Sequence, residues 1–124
     1  METPFLDGQP IYRQLRDRVI GLILDEVLKD GDGLPSVRQV AGEFRVNPLT
    51  VLKAYQELAD AHLVEKRRGL GMFVAHGARA MLMTSERSRF LAQEWPKVRA
   101  TIVRLGLTPA ELFDMPAGTV GGEK

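Results

Sequence analysis

The chain has 124 residues, 44% hydrophobic and 27% charged, with a formal net charge of +1, a size that suits one compact domain plus a short extra element. It contains no cysteine, which excludes disulfides and thiolate metal sites, and its two histidines, His62 and His76, stand near no carboxylate cluster, so neither metal nor cofactor is expected. No segment approaches the roughly 20 apolar residues that span a bilayer, and the opening METPFLDGQP lacks the basic start and apolar run of a secretory leader, so no membrane association is expected and the cytoplasm is the default location.

Residues up to Gln9 read as a loose arm ending at Pro10. From Ile11, apolar residues recur at helical spacing as Ile11, Leu15, Val19, Leu22 and Ile23, and Leu24, Val27 and Leu28 extend the apolar side, which predicts a helix ending near Leu28. Lys29 to Gly33 holds two glycines, two aspartates and no apolar residue, and reads as a turn. Ser36 then caps a short helix from Val37 to about Phe44, with Gln39 at the third helical position, where a capping box wants Glu or Gln. Asn47 caps the next helix, and Pro48 fits its first position, where a missing amide proton costs nothing. That third helix runs to about Ala61, with Val51, Ala54, Tyr55 and Leu58 facing inward.

Two short helices across a tight turn form a helix-turn-helix unit, and the second is a candidate reader of the DNA major groove. Leu63–Lys66 and Met72–Ala75 can pair as a hairpin around the basic tip Arg67-Arg68-Gly69-Leu70-Gly71. Helices followed by such a hairpin make the winged arrangement. Gly69 and Gly71 permit backbone angles that other residues avoid, and Arg67 and Arg68 offer forked donors to phosphates or base edges. Charge is uneven as well: between His62 and Arg104 nine basic side chains face three acidic ones. A basic segment in a near-neutral chain can form a local electrostatic footprint.

The segment from Ala78 to Asp114 returns to helical spacing. Arg87, Leu91, Trp95, Val98, Ile102 and Leu105 repeat at four and three, and Pro96 must either kink or split this helix. Gly106 ends it, and Thr108 and Pro109 start a last short helix from Ala110 to Met115. The tail is too small to enclose its own core, so its apolar stripe needs a partner surface. The expected organisation is thus a winged helix-turn-helix domain over residues 10–76, a helical dimerisation segment over 78–115, and a disordered end over 116–124. The fold class is mostly α with one small β-hairpin.

The pieces P-I-Y-R-Q-L at Pro10, D-G-D-G-L-P-S-V-R-Q-V-A at Asp30, V-N-P-L-T-V-L-K-A-Y-Q-E-L at Val46 and R-R-G-L-G-M-F-V at Arg67 occur in one order and spacing. In them the stretch from Pro10 to Val74 resembles the winged helix-turn-helix domain of the GntR family of bacterial regulators, and the short tail resembles the YtrA-type subfamily. The resemblance implies a sequence-specific regulator of transcription, a repressor that binds double-stranded DNA as a homodimer on an inverted-repeat operator. It implies DNA contacts at Arg38, at Asn47, Thr50 and Lys53, and at Arg68 and Gly69, with Gly71 shaping the tip beside Arg67. It also implies dimerisation through the tail, where Leu91, Trp95, Val98, Ile102 and Leu105 form the stripe.

Three positions depart from the family pattern. Gly33 stands where arginine or lysine is usual, which removes one phosphate contact. Leu49 replaces a common asparagine and can still meet thymine methyls by apolar contact. Leu70 stands where the tip often carries lysine.

The rival readings are a winged module for protein contacts and a regulator whose DNA binding depends on a partner. A small-molecule effector at the dimer interface is left open. An enzyme is not expected. Gly69-Leu70-Gly71 lies in a hairpin rather than at a strand–helix junction, Ser36 has no histidine near it in sequence, and the histidines have no metal spacing.

Overall fold

The computed structural model describes Phe5 and residues 8–114. The described residues up to Ser85 form one compact unit, and those from Glu86 to Asp114 form another.

In the first unit α1 spans Ile11–Leu24, α2 Val37–Phe44 and α3 Pro48–Asp60. The hairpin strands are β1, Val64–Arg67, and β2, Gly71–Val74, and α4 (Ala78–Arg89) begins directly after. α1 and α2 both pack on α3, which also meets β1, so α3 is the central element. Each helix contributes the face its periodicity dictates: Leu15, Val19 and Ile23 from α1, Val40 and Ala41 from α2, Val51, Ala54, Tyr55 and Leu58 from α3. Leu63, Val64 and Val74 close the core from the hairpin side.

β1 and β2 pair antiparallel from Val64↔Val74 to Arg67↔Gly71. At the tip the Leu70 amide donates to the Arg67 carbonyl at 2.9 Å, and Gly69 sits at φ 76°, the third position of a turn that demands positive φ.

Four expectations from the sequence are corrected or refined here. α1 stops at Leu24 rather than near Leu28. The chain leaves the helix through Glu26 at φ 63°, and the amides of Val27 and Leu28 both donate to the Leu22 carbonyl. The turn before α2 also extends the hairpin's ladder: Gly31 and Leu34 donate to Val74 and Met72, and Val74 donates to Asp32, each at 2.8 Å.

The boundary expected near residue 77 falls later, because Ala78 and Leu82 are buried in the winged core and hold the first turns of α4 there. Arg79 fixes this start by donating to the Leu24 carbonyl at 2.9 Å, and the Asp30 carboxylate accepts from the Gly77 amide at 2.8 Å. Finally, Phe5 is not part of a loose arm. It is buried, with its ring 5.7 Å from that of Phe44 and the Arg18 guanidinium against both.

In the second unit, a π-helical stretch at Phe90–Glu94 precedes α5 (Trp95–Leu105), and α6 (Pro109–Asp114) ends the described chain. Pro96 is accommodated without splitting the helical path. The Trp95 amide reaches back five residues to the Phe90 carbonyl, and this wider turn takes up the proline's missing donor and its ring. Gly106 at φ 69° ends α5, and the Thr108 hydroxyl and Glu111 carboxylate form a reciprocal cap on α6. The disordered end expected over 116–124, and Met115, lie outside the described residues.

Candidate nucleic-acid interface

The groups expected to meet DNA are carried by α2, α3 and the hairpin, with α2 and β1 both packed on α3. α2 is started by Ser36, whose Oγ accepts from the Gln39 amide at 3.0 Å. This fixes Arg38 near the helix start, exposed and without a carboxylate partner among the described residues. The Asp60 carboxylate at the end of α3 accepts from Gln56 at 3.3 Å. An unpaired arginine keeps its whole fork of donors for a phosphate or base edge.

The turn between α2 and α3 runs through Arg45 in the left-handed region, φ 56°. Asn47 then caps α3, its Oδ1 accepting from the Leu49 amide at 2.8 Å. This engages the side-chain oxygen and leaves the amide NH2 group free to donate outward, so the capping and DNA-contact readings of Asn47 are compatible. Thr50, half-buried on the first turn, lies beside the N-terminal amides that favour anionic oxygen.

The orientation of α3 is held from behind. The Tyr55 hydroxyl donates to the Pro35 carbonyl at 2.7 Å, tying the middle of α3 to the turn that starts α2. Burial pushes the Tyr55 phenol up to about 12. Arg16 of α1 bridges to Glu57 at 2.9 Å.

On the outward side, Leu49 is 70% and Leu52 49% exposed, with Lys53 and Gln56 beside them. The Lys53 ammonium lies 4.1 Å from the centre of the Tyr12 ring, a cation–π contact the sequence did not suggest. Lys53 remains exposed, so the ring positions its charge without hiding it.

The two wing arginines differ. Arg67 stacks on Phe73 at 4.3 Å and pairs with Glu65 at 3.6 Å, which makes it a brace of the hairpin. Arg68 projects from the tip, exposed and unpaired among the described residues. Gly69 and Gly71, φ 76° and 113°, give the tip its backbone. The Gly33 departure gains a local reason: a Cβ there would lie 3.3 Å from the Phe73 ring that carries Arg67. Leu52 lies off the buried stripe of α3 and stands exposed beside Leu49, a feature that only the burial of α3 brings out.

The residues expected in dimerisation all lie in the second unit. Leu91, on the π-helical stretch, is 58% exposed, and Trp95, Val98 and Leu105 on α5 are exposed as well, with Ile102 half-buried. Trp95, Val98, Ile102, Leu107, Leu112 and Phe113 line an apolar groove of about 490 Å³. Among the described residues no helix is long and apolar enough to cross a membrane.

Comparison with known proteins agrees with this geometry. Residues 11–74 match the family described as bacterial regulatory proteins, gntR family. The chain is 32% identical over 114 residues to the uncharacterized HTH-type transcriptional regulator YhcF of Bacillus subtilis (strain 168), covering 92% of this chain and 93% of that one. It is 40% identical over 74 residues to the HTH-type transcriptional repressor YtrA of the same organism, covering 60% of this chain and 57% of YtrA. A solved transcriptional regulator from Oenococcus oeni superposes with a TM-score of 0.70 at 33% identity, over 89% of this chain and 90% of that one.

Proposed function

The chain belongs to the GntR family of bacterial regulatory proteins, as a YtrA-like, DNA-binding transcription regulator, and from that premise we propose that it is a homodimeric repressor acting on an inverted-repeat operator. One observation carries the dimer. The π-helical stretch, α5 and α6 contain no buried residue, yet they expose Phe90, Leu91, Trp95, Val98, Val103, Leu105, Leu112 and Phe113. A segment without an interior of its own recovers its apolar burial against a second copy. The dimerisation segment proposed here starts near Glu86.

In the dimer each α3 enters a major groove, and the half-sites lie about 34 Å apart, one helical turn, or a multiple of it. Arg38, Lys53, Arg68 and the N-terminal amides of α3 hold the phosphates. The Asn47 amide, Leu49 and Thr50 face base edges, and Gly69 and Gly71 let the tip approach the duplex. Work of this kind is binding rather than catalysis. Occupation of a promoter then represses transcription, the role named for YtrA, and acting on bacterial chromosomal DNA places the protein in the cytoplasm.

Sedimentation equilibrium tests the assembly. Wild type should sediment as a dimer at micromolar concentration, and Trp95→Ala, which removes the largest ring of the stripe, should shift it toward monomer. A monomeric wild type, or a variant dimer of unchanged affinity, would refute the role given to this stripe.

A further inference from the structure

We propose that Leu49 and Leu52 form an apolar reading edge on α3 that recognises the C5-methyl groups of two nearby thymines in the major groove. The inference rests on the reading of this chain as a regulator that presents α3 to duplex DNA, and it specifies what that helix reads.

Leu49 is 70% exposed and Leu52 49% exposed, while the buried stripe of the same helix is Val51, Ala54, Tyr55 and Leu58. Neither leucine belongs to the hydrophobic core or packs against it, so folding does not account for them. Residues three apart are neighbours on a helix surface. At 1.5 Å per residue the two are displaced by about 4.5 Å along the axis, close to the roughly 3.4 Å step between bases of one strand. They can therefore meet methyl groups one or two base steps apart.

The surroundings select the occupant. The apolar pair is bordered on α3 by the outward amide of Asn47, by Lys53 and by Gln56. The neighbouring elements contribute Arg38 and Arg68, both unpaired among the described residues. Cationic and hydrogen-bonding groups around a small apolar centre match a surface that is anionic at its edges and apolar at isolated points. In the major groove the projecting apolar feature is the thymine methyl, where cytosine carries only a hydrogen and the other recognition groups are donors or acceptors. A leucine cannot read donors or acceptors, so what it adds is preference for thymine over cytosine at the position it touches.

The test begins with selection of bound duplexes from a randomised pool by the wild-type protein. Each thymine of the enriched motif is then replaced singly by deoxyuridine, which removes only the C5 methyl. Two replacements, within two base steps of each other, should each weaken wild-type binding about fourfold, the loss expected for one apolar carbon left unburied. Leu52→Ala should erase the thymine–uridine difference at one of these positions and Leu49→Ala at the other. Because the wild-type comparison changes only the DNA, a misfolded variant cannot imitate it.

An enriched motif in which every uridine replacement is silent would overturn the proposal and leave the regulator reading intact. Discrimination that survives both leucine substitutions would overturn it too. Failure to enrich any motif would overturn the regulator reading, and this proposal with it.

Discussion

Tyr55→Phe removes one oxygen atom from the interior of the winged unit and nothing else. The ring is 3% exposed and its hydroxyl donates to the Pro35 carbonyl at 2.7 Å. Phenylalanine fills the same volume, so no cavity term arises. Pro35 is itself exposed, so water can replace the lost donor at its carbonyl. The expected loss is therefore about 1 kcal/mol, the ordinary net value of a hydrogen bond rather than that of an orphaned buried group.

The pH dependence follows from the same burial. The phenol is raised from its ordinary value of 10.0 to about 12 in the folded chain, so the folded state holds this proton more tightly than the unfolded one. The stabilisation is complete below pH 10 and is lost as pH rises toward 12. One pKa unit corresponds to about 1.4 kcal/mol, so the wild-type advantage should vanish at about pH 11 and the variant should be the more stable above it. Urea titrations of both proteins at neutral pH and across the alkaline range read this directly, because the other titrating groups cancel in the difference. A gap that stays constant through pH 11 would refute the buried, hydrogen-bonded assignment of Tyr55.

Four further substitutions probe binding and folding. Arg68→Ala should weaken DNA binding and lower the salt slope by about 0.9, one phosphate contact, with an unchanged unfolding midpoint; Arg67→Ala should also cost about 0.5–1 kcal/mol of stability through its lost stacking on Phe73. Equal effects of the two in a paired denaturation and binding titration would contradict the division drawn between them. Asn47→Asp retains an oxygen to cap the Leu49 amide but replaces the outward NH2 with negative charge, so the thermal midpoint should hold while affinity for DNA falls about tenfold or more; unchanged affinity would confine Asn47 to capping. Arg45→Gly should stabilise the fold by about 0.5–1 kcal/mol by relieving the left-handed backbone at φ 56°, as measured by thermal unfolding, and destabilisation would mean that the Arg45 side chain supports the turn.

Where local chemistry decides structure, the sequence was easily read. Ser36 and Asn47 cap the helices that their positions announce, and the glycine-bearing basic tip turns where two short strands meet. What it hid depends on contacts between distant residues. Gly31 to Leu34 carries no strand pattern, yet its backbone completes the β2 ladder because the hairpin leaves that edge open. Leu24 to Leu28 looked like more helix, but Arg79, far along the chain, binds the Leu24 carbonyl where α1 ends. Ala78 and Leu82 belong to the winged core although the spacing of their segment links them to the tail. Pro96 announced an interruption without its form, since a proline can be met by a kink, a break or the π-helical turn found here.

At the interface the types of residue were legible and their commitments were not. Arg67 and Arg68 are identical neighbours in sequence, yet one is stacked on Phe73 and the other is unpaired among the described residues. Lys53 was visible as a cation, while the Tyr12 ring beneath it comes from a separate helix.

Sequence-specific binding is tested most directly by titrating the protein into a labelled duplex from upstream of its own gene, beside a scrambled duplex of equal length, at two salt concentrations. The upstream duplex should bind about 10³-fold or more tightly than the scrambled one, with both affinities falling as salt rises. Equal and weak binding to the two duplexes would contradict regulation at that promoter through the α3 and wing surface.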